Sequence, residues 1–457
     1  MIPVKDKITD VLLITVNFPT TATNKDGMGN YTANAAQYLM EETGWNIHAI
    51  AFRFSGQEPF EESCGLTVER IDPPRGILHY DELYNPHNFR IAASYLAASA
   101  QRAASGMRGK TAAWCHGYET GMASRVLAEA GFHVAGVVHY LIAQDLLNRF
   151  EKADDQMRKD MDEDTFSSIA GRIIPAKLRP AFIRLLSVSA PLLCKLPVPD
   201  RLELMYKLEQ ESLLMKSSRR IVAVSPGFGA TIVRFYPGVR NKIEACVAGS
   251  PSPASGSDWP FPLRDDRLRL VMVGRPVPQK GWDYVAEALG RLESSRPDEA
   301  ARVELAAVGG IGDWGGGFSS RIYQNFLGLK KVSLAKLGEI PNDAVMRVMA
   351  SADALLLPST FEPFGLVMLE AMASGCMVLS SDCDGPRGVV RPPWGILMPF
   401  RNPRERVAEL EAGINKLLSL TRAELEERGV AAREAAAGYS WRDCARIHAE
   451  ALRNGQG

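Results

Sequence analysis

The feature of this sequence that most constrains its fold is an alternation of short apolar runs with helical patterns. The first run, VLLITV at residues 11–16, is continuously apolar and rich in β-branched side chains, as is typical of a parallel strand buried on both faces. A polar loop containing Gly27 and Gly29 follows, and then a helical pattern from Tyr31 to Glu42. This order of strand, glycine loop and helix predicts the start of a doubly wound α/β sheet, with helix amides directed at an anion.

The alternation stops near the middle of the chain and then restarts. Residues 247–266 are rich in Pro, Ser and Gly, which predicts a linker. The predicted strands are 111–115, 134–139 and 220–224 before it, and 268–273, 303–308, 332–337, 354–357, 377–380 and 395–398 after it. The expected organisation is an N-terminal Rossmann-like domain at 1–246, the linker at 247–266, a C-terminal Rossmann-like domain at 267–438 and a final helix at 439–457.

The composition limits the class of protein. Lys plus Arg and Asp plus Glu both total 53, so no global charge favours nucleic acid, and none is expected as a partner. The seven cysteines are scattered and form no Cys-x-x-Cys pair, which predicts reduced thiols rather than a zinc or redox motif. The sequence shows neither a secretion pattern at its start nor an apolar stretch long enough to span a bilayer, so a cytoplasmic location is expected.

A long stretch near 146–215 has helical patterns and exceeds what one crossover needs, which predicts a helical insertion in the N-terminal domain. Within it, residues 165–199 contain no acidic side chain. Their basic residues are Arg172, Lys177, Arg179, Arg184 and Lys195. One interpretation is a basic amphipathic patch that makes weak peripheral contact with an anionic inner membrane surface. The other, favoured by the prolines that interrupt the periodicity, is a helical lid packed on its own domain.

Two glutamates with seven residues between them give the strongest chemical signal. Glu362 lies in a polar turn after a predicted strand, and Glu370 lies about 7–8 Å along the following helix from Gly365. The two carboxylates can therefore contact different parts of one elongated ligand. The amides of Phe364, Gly365 and Leu366 open the helix, where a diphosphate would gain hydrogen bonds and favourable dipole energy.

A second signal is GRPVPQKG at 274–281, directly after the predicted strand LRLVMV. Arg275 and Lys280 would lie at the carboxyl end of that strand, where ligands bind in open α/β sheets. A cation placed there lowers the barrier for a departing diphosphate by roughly 3–4 kcal/mol. Two cations can replace a magnesium ion, and no His/Asp/Glu cluster has metal-ligand spacing, so no metal is expected.

These segments resemble the retaining glycosyltransferases of family 4, and among them the sucrose-phosphate-synthase-like group, over most of the chain. The matching motifs are the glutamate pair, the Gly-Arg and Lys-Gly pairs of 274–281, LGEIPND at 337–343, IVAVS at 221–225 preceded by Glu211, DGMGNY at 26–31, WCHGYETG at 114–121 and VVHYLIAQD at 137–145. The resemblance implies the GT-B fold, in which two Rossmann-like parallel-sheet domains face a central cleft and the C-terminal helix returns to the N-terminal domain.

The resemblance also implies a role for each site residue. Glu362 would contact hydroxyls of the donor sugar, Glu370 the ribose, and Arg275 with Lys280 the diphosphate. His139 would lie beside the transferred sugar. The backbone groups implied at the donor are those of Gly27, Gly274, Gly338, Ile340, Phe364, Gly365 and Leu366.

In such enzymes the leaving phosphate oxygen takes the acceptor's proton on the same face of the sugar, so neither a protein nucleophile nor a cofactor is needed. The implied partners are a nucleotide-sugar donor, which is a UDP- or GDP-sugar, and an acceptor with a hydroxyl group. The acceptor is a small molecule, a saccharide or a lipid-linked molecule.

The chain departs from the family at two places. Asp26-Gly27 stands where members have Gly-Gly, which predicts an added carboxylate near the acceptor, and Val247-Ala248-Gly249 stands where they have Pro-Asn-Gly. Two other hypotheses stay open. A sugar-nucleotide epimerase or a phosphorylase can share this fold, and so can a catalytically silent scaffold protein.

Overall fold

The computed structural model of the chain describes residues 8–19, 27–54, 56–63, 65–74, 77, 80–84, 86–107, 111–152, 173–193, 203–310 and 317–453. These residues form two compact units. The N-terminal unit contains the described residues up to Phe150, those from 173 to Ala248 and those from Trp441 onwards. The C-terminal unit contains Glu151 and Lys152 and the described residues from Gly249 to Ser440.

The N-terminal unit is built on one mostly parallel sheet. Its strands are β1 (Asp10–Ile14), β2 (Asn46–Phe52), β3 (Phe60–Ser63), β4 (Leu66–Ile71), β5 (Thr111–His116), β6 (His133–Val138), β7 (Arg220–Ala223) and β8 (Ile243–Ala245). In the described part of the chain they are ordered β3-β4-β2-β1-β5-β6-β7-β8, and only β3 and β4 pair antiparallel. Residues 11–14 of β1 are fully buried, as the continuous apolar run predicts.

The C-terminal unit contains a second sheet, which is parallel throughout its described strands. These are β9 (Leu268–Val273), β10 (Val303–Val308), β11 (Ser333–Gly338), β12 (Ala354–Leu357), β13 (Met377–Ser381) and β14 (Gly395–Met398), in the order β11-β10-β9-β12-β13-β14. One parallel and one mostly parallel Rossmann-like sheet, each connected by helices, confirm the predicted α/β class.

Helices connect the strands in both units. In the N-terminal unit they are α1 (Gly27–Thr43), α2 (Pro86–Gly106), α3 (Gly121–Glu129), α4 (Ile142–Lys152), α5 (Arg179–Leu193), α6 (Glu203–Ser217) and α7 (Pro226–Phe235). In the C-terminal unit they are α8 (Trp282–Ser295), α9 (Pro297–Ala300), α10 (Gly317–Leu327), α11 (Asn342–Met349), α12 (Leu366–Ala373), α13 (Asp384–Val389), α14 (Arg406–Leu418) and α15 (Arg422–Ala437). The last helix, α16 (Trp441–Arg453), belongs to the N-terminal unit.

Helix α16 packs against α1 and against β5, β6 and β7. Arg442 and Arg446 both bind Glu42 at the end of α1, with nitrogen–oxygen distances of 2.9 and 3.0 Å. At the other end of α16 the His133 ring nitrogen lies 2.8 Å from the Ala451 carbonyl oxygen. The predicted return of the C-terminal helix to the N-terminal domain is therefore confirmed.

The region of the predicted insertion is helical where it is described. Helix α5 packs against α6, which in turn packs against α2 and α3. Residues 153–172 and 194–202, which include Arg172 and Lys195, lie outside the described residues, as does Asp26. Over the described part of the chain, none of the helices is both long enough and apolar enough to cross a membrane.

Residues 249–266, within the predicted linker, contain neither helix nor strand and are part of the C-terminal unit. The Trp259 indole donates a hydrogen bond of 2.9 Å to Glu304 of β10, and Asp258 forms an ion pair of 2.8 Å with Arg347 of α11. These contacts fasten the segment to the sheet that follows it.

Candidate active site

The strand order of the C-terminal sheet creates a crevice at its carboxyl edge. From β9 the chain runs outwards through β10 to β11, whereas β12, on the other side of β9, leads to β13 and β14. The loops after β9 and β12 therefore diverge, and ligands of open α/β sheets bind at such a switch point. Lys280 follows β9 and Glu362 follows β12, so both motifs predicted from the sequence flank this point.

Lys280 and Glu362 form an ion pair across the switch point. The Lys280 ammonium lies 2.7 Å from Glu362 Oε2, and the Ser359 hydroxyl donates to the same oxygen at 3.2 Å. The Glu362 side chain is 8% exposed and the Lys280 side chain is 29% exposed. A buried carboxylate is thus held beside a cation that still reaches solvent.

The two loops are fixed to each other by backbone contacts. The Thr360 amide donates to the Gln279 carbonyl at 2.8 Å. Gly281 has a φ of 75°, and a Cβ atom there would lie 2.3 Å from the Pro358 carbonyl oxygen, so only glycine fits. The side chains of Lys280 and Glu362 are therefore carried by rigid neighbours.

The start of the β9 loop is also held by close backbone packing. Gly274 has a φ of 140°, and a Cβ atom on Gly309 would lie 2.1 Å from the Gly274 carbonyl oxygen. The next residue, Arg275, accepts a hydrogen bond of 3.1 Å at its backbone carbonyl from the indole of Trp282. The Arg275 side chain itself is exposed at this edge of the sheet.

Helix α12 begins beside Glu362. Gly365 precedes it with φ 86° and ψ 70°, and a Cβ atom on Gly365 would lie 3.0 Å from Glu362 Cγ. Among the residues that the structure describes, no side chain caps this helix. Phe364 is buried and Leu366 is half-buried. The first amides of α12 thus lie beside the ion pair.

Glu370 is half-buried on α12, and burial raises the pKa of its carboxyl group to about 7, although a hydrogen bond with Asn342 opposes the increase. Asn342 begins α11, directly after Gly338 and Ile340 in the loop that follows β11. Gly338 has a φ of 66°, and its carbonyl accepts from the Gly309 amide at 2.7 Å. The segment that contains Gly338 and Ile340 therefore lies near Glu370.

In the N-terminal unit, His139 follows β6 and is half-buried. Its Nε2 lies 3.1 Å from His116 Nδ1, which also lies 2.9 Å from the Thr32 hydroxyl oxygen. Burial, the largest cause, and the nearby His448 lower the pKa of His139 to about 3, so the ring is neutral near pH 7. Gly27, the other predicted residue of this unit, is exposed at the start of α1.

The protonation of the two imidazoles follows from their partners. Thr32 donates its hydroxyl proton to the Met28 carbonyl at 2.8 Å, so toward His116 Nδ1 the hydroxyl oxygen must accept. His116 therefore carries its proton on Nδ1. The same N–H faces His139 Nε2, so His139 accepts there and keeps its own proton on Nδ1. This leaves His139 with a donor that faces away from His116.

Glu211 has a structural role that motif spacing did not reveal. It is fully buried on α6 and accepts hydrogen bonds from the Ile142 and Ala143 amides at the start of α4 and, at 2.7 Å, from the Tyr236 hydroxyl. Burial raises the pKa of its carboxyl group to about 7, while these hydrogen bonds oppose the increase. Glu211 thus caps α4, the helix that begins three residues after His139.

Comparison with known protein families matches part of the C-terminal unit. Residues 257–435 match the family model of glycosyl transferases group 1. This segment is therefore similar to the group 1 glycosyl transferases. It contains the Lys280–Glu362 pair, the start of α12 and Glu370, so the family match and the geometry of the C-terminal unit concern the same residues.

Curated glycosyltransferases match part of the chain. D-inositol 3-phosphate glycosyltransferase of Geodermatophilus obscurus is 29% identical over 225 residues, 49% of this chain and 45% of that protein. Phosphatidyl-myo-inositol mannosyltransferase of Mycobacterium tuberculosis is 34% identical over 177 residues, 38% of this chain and 43% of that protein. The chain spans about half the length of the curated relatives that it matches, or less.

Solved structures match over nearly the whole chain. Sucrose-phosphate synthase from Thermosynechococcus elongatus superposes with a TM-score of 0.65 at 17% identity and covers 98% of both chains. The trehalose-6-phosphate synthase OtsA superposes with a TM-score of 0.64 at 11% identity and covers 97% of this chain and 98% of that one. This likeness confirms the predicted GT-B fold.

Proposed function

We propose that this chain is a retaining glycosyltransferase that moves a sugar from a nucleoside diphosphate sugar to a hydroxyl acceptor without a catalytic metal ion. The observation that carries the proposal is the Lys280–Glu362 pair at the switch point beside the start of α12. A cation, a buried carboxylate and helix amides in one crevice match a ligand that joins a diphosphate to a polyhydroxylated ring.

The diphosphate would be bound by positive groups of the C-terminal unit. Lys280 and Arg275 supply two cations, and the first amides of α12 supply hydrogen bonds to phosphate oxygens. As the bond to the sugar breaks, negative charge develops on the leaving phosphate, and these fixed groups stabilise it more than they stabilise the intact donor. The two cations would thus take the place of a magnesium ion.

Glu362 would bind the sugar. Its carboxylate accepts from Lys280 and Ser359, and an ionised carboxylate has room for further hydrogen bonds, which sugar hydroxyls can donate. The neutral His139 would donate its Nδ1 proton to a hydroxyl of the same sugar, and Gly27 would bring the start of α1 to the diphosphate. Retention follows in this proposal because the leaving phosphate oxygen takes the acceptor's proton on the face from which it departs.

The nucleoside would be bound by the loop after β11 and by Glu370. The Glu370 carboxylate would accept hydrogen bonds from the ribose hydroxyls, while backbone groups of Gly338 and Ile340 contact the base. UDP- and GDP-sugars are the donors that we propose.

Direct assay of turnover tests this function. Purified protein should transfer sugar from a UDP- or GDP-sugar in the presence of EDTA, and added Mg²⁺ should not be required. E362Q should lower kcat about 100-fold or more. Glu427, an exposed carboxylate on α15, provides the matched control, and E427Q should retain full activity. Activity that depends strictly on added Mg²⁺, or full turnover by E362Q, would disprove the mechanism.

Helix α5 supports a further part of the proposal, a weak contact with an anionic membrane surface. One face packs on the N-terminal unit through buried Ile183, whereas Leu185 and Val188 on another face are 65% and 55% exposed. The neighbouring Lys177 and Arg184 are exposed as well. An apolar face with flanking cations fits the lipid interface, and by its name one relative acts on phosphatidyl-myo-inositol.

Vesicle sedimentation tests this contact. The chain should bind vesicles that contain an anionic phospholipid more tightly than neutral vesicles. L185Q/V188Q should reduce that binding, while V430Q, which changes an exposed valine of α15, should not. Equal sedimentation of wild type and double variant would show that α5 is only a packed helix.

A further inference from the structure

A group of buried metal-ligand side chains lies in the N-terminal unit and includes none of the residues assigned to the donor. Cys246 directly follows β8, and its amide donates to the Ala223 carbonyl of β7 at 2.8 Å. Cys444 and His448 lie four residues apart on α16, a spacing that places both on one face of the helix. Tyr31, on α1, completes the group.

The donor atoms of these four side chains converge on a small volume. The sulfurs of Cys246 and Cys444 are 3.0 Å apart. The Tyr31 hydroxyl lies 3.4 Å from Cys444 Sγ and 2.9 Å from His448 Nε2. One ligand atom from each of Cys246, Cys444 and His448 lies within 4.8 Å of the other two. All four residues are at most 2% exposed, so the arrangement is closed to solvent.

These separations are close to those of a tetrahedral zinc site. Zinc–sulfur bonds of about 2.3 Å place two sulfurs about 3.8 Å apart, and bonds of about 2.1 Å to nitrogen and oxygen place those atoms about 3.4 Å apart. The two sulfurs would therefore move apart by about 0.8 Å, and the Tyr31 oxygen and the His448 nitrogen by about 0.5 Å. Two thiolates with an imidazole are a soft ligand set that suits zinc, and four protein donors leave no open position, as in structural rather than catalytic sites.

We propose that Cys246, Cys444 and His448, with the Tyr31 hydroxyl as the fourth donor, bind a structural zinc ion. Binding displaces the two thiol protons to solvent, and the ion joins the end of β8, helix α1 and helix α16. A disulfide between the two cysteines is a different outcome. It would draw the sulfurs together to about 2.05 Å and would use neither the imidazole nor the hydroxyl.

The ion would fasten α16, the last segment of the N-terminal unit, to α1 and to the end of β8. The Tyr31 ring also packs against the His139 ring with centroids 4.9 Å apart, and the His448 ring lies 6.1 Å from the His116 ring. Zinc at this position would therefore hold the aromatic neighbours of His139. It would take no part in donor binding, so it is independent of the metal-free mechanism proposed above.

Metal analysis of the full chain tests this proposal. Protein expressed with zinc in the medium should contain about one zinc per chain after desalting. Cobalt in place of zinc should give a thiolate-to-metal charge-transfer band. C444S and H448Q should each weaken zinc binding by more than the roughly 10- to 100-fold that the loss of a ligand's hydrogen-bond partner costs. C376S, which removes a buried thiol of the C-terminal unit, and E362Q should both retain the zinc.

Wild-type protein alone can overturn the proposal, so the test does not depend on the folding of the variants. Zinc content far below one per chain, with no rise in Tm when zinc is added to metal-free protein, would exclude the site. An intact mass that is lower by two hydrogen atoms and recovers on reduction, with Cys246 and Cys444 linked in the peptide map, would replace it with a disulfide. Retention of zinc by C444S would exclude this ligand set.

Discussion

Removal of the charge on Lys280 should destabilise the C-terminal unit. Loss of one partner from a fully buried ion pair costs 3–5 kcal/mol, whereas an exposed pair contributes about 0–1 kcal/mol. Glu362 is 8% exposed but Lys280 is 29% exposed, and Ser359 still donates to the carboxylate. We therefore expect K280M to lower the free energy of unfolding by about 2 kcal/mol.

The assay is differential scanning calorimetry of the full chain, following the transition that shifts when a nucleotide binds. For a unit of this size, 1 kcal/mol corresponds to about 2–4 °C, so K280M should lower Tm by about 4–8 °C. E362Q should lower Tm less, because the ammonium that it leaves is the more exposed partner. K280M/E362Q should be more stable than the sum of the two single effects predicts, by about 1–2 kcal/mol.

A matched variant separates the ion pair from the general effect of losing a lysine. Lys416 is exposed on α14, and K416M should change the free energy of unfolding by no more than about 0.5 kcal/mol. A shift below about 1 °C for K280M, or additive effects in the double variant, would refute the view that the two loops at the switch point are held together by this pair.

Three further outcomes follow from the geometry. Because the pKa of Glu370 is about 7, donor affinity measured by calorimetry should rise about tenfold between about pH 6 and pH 8, and E370Q should abolish this dependence. Because the folded-state pKa is raised, the free protein should lose stability as pH rises toward 7. The pKa of His139 is about 3, so its ring does not titrate between about pH 5 and pH 8, and H139Q should lower kcat without changing the shape of the pH–rate profile in that range. Loss of an inflection in that range on H139Q would contradict a neutral ring. In thermal unfolding, G309A should destabilise the chain by about 2–4 kcal/mol, because its Cβ atom would clash with the Gly274 carbonyl oxygen. The control G290A on α8 should not be destabilised, because the atom nearest to its Cβ is 3.9 Å away.

The sequence predicts most strands of the C-terminal sheet well because they are short apolar runs, and β10 and β12 are buried at every residue. Residues 268–273, 303–308, 354–357 and 395–398 coincide with β9, β10, β12 and β14. Periodicity could not resolve the far side of the N-terminal sheet. β3 has the sequence FEES and is exposed along most of its length, so it lacks an apolar run, and it depends on pairing with β4.

The candidate site shows the same division between local and distant information. Each motif could be placed after its strand from local sequence, because carboxyl ends of parallel strands meet at one edge. The pairing of Lys280 with Glu362 could not be predicted from local sequence, since the two residues lie 82 positions apart and only the strand order brings their loops together.

The proposed zinc site depends even more strongly on the fold. Cys444 and His448 at helical spacing are the only local signal, and such a pair is common on ordinary helix surfaces. The other two donors are distant in sequence: Cys246 lies 198 positions from Cys444, and Tyr31 lies 413 positions from it. The absence of a Cys-x-x-Cys motif predicted reduced thiols without zinc, but that rule applies to ligands close in sequence. Here the return of α16 to the N-terminal sheet assembles the donors, so a metal site of this kind can be inferred only after the topology is known.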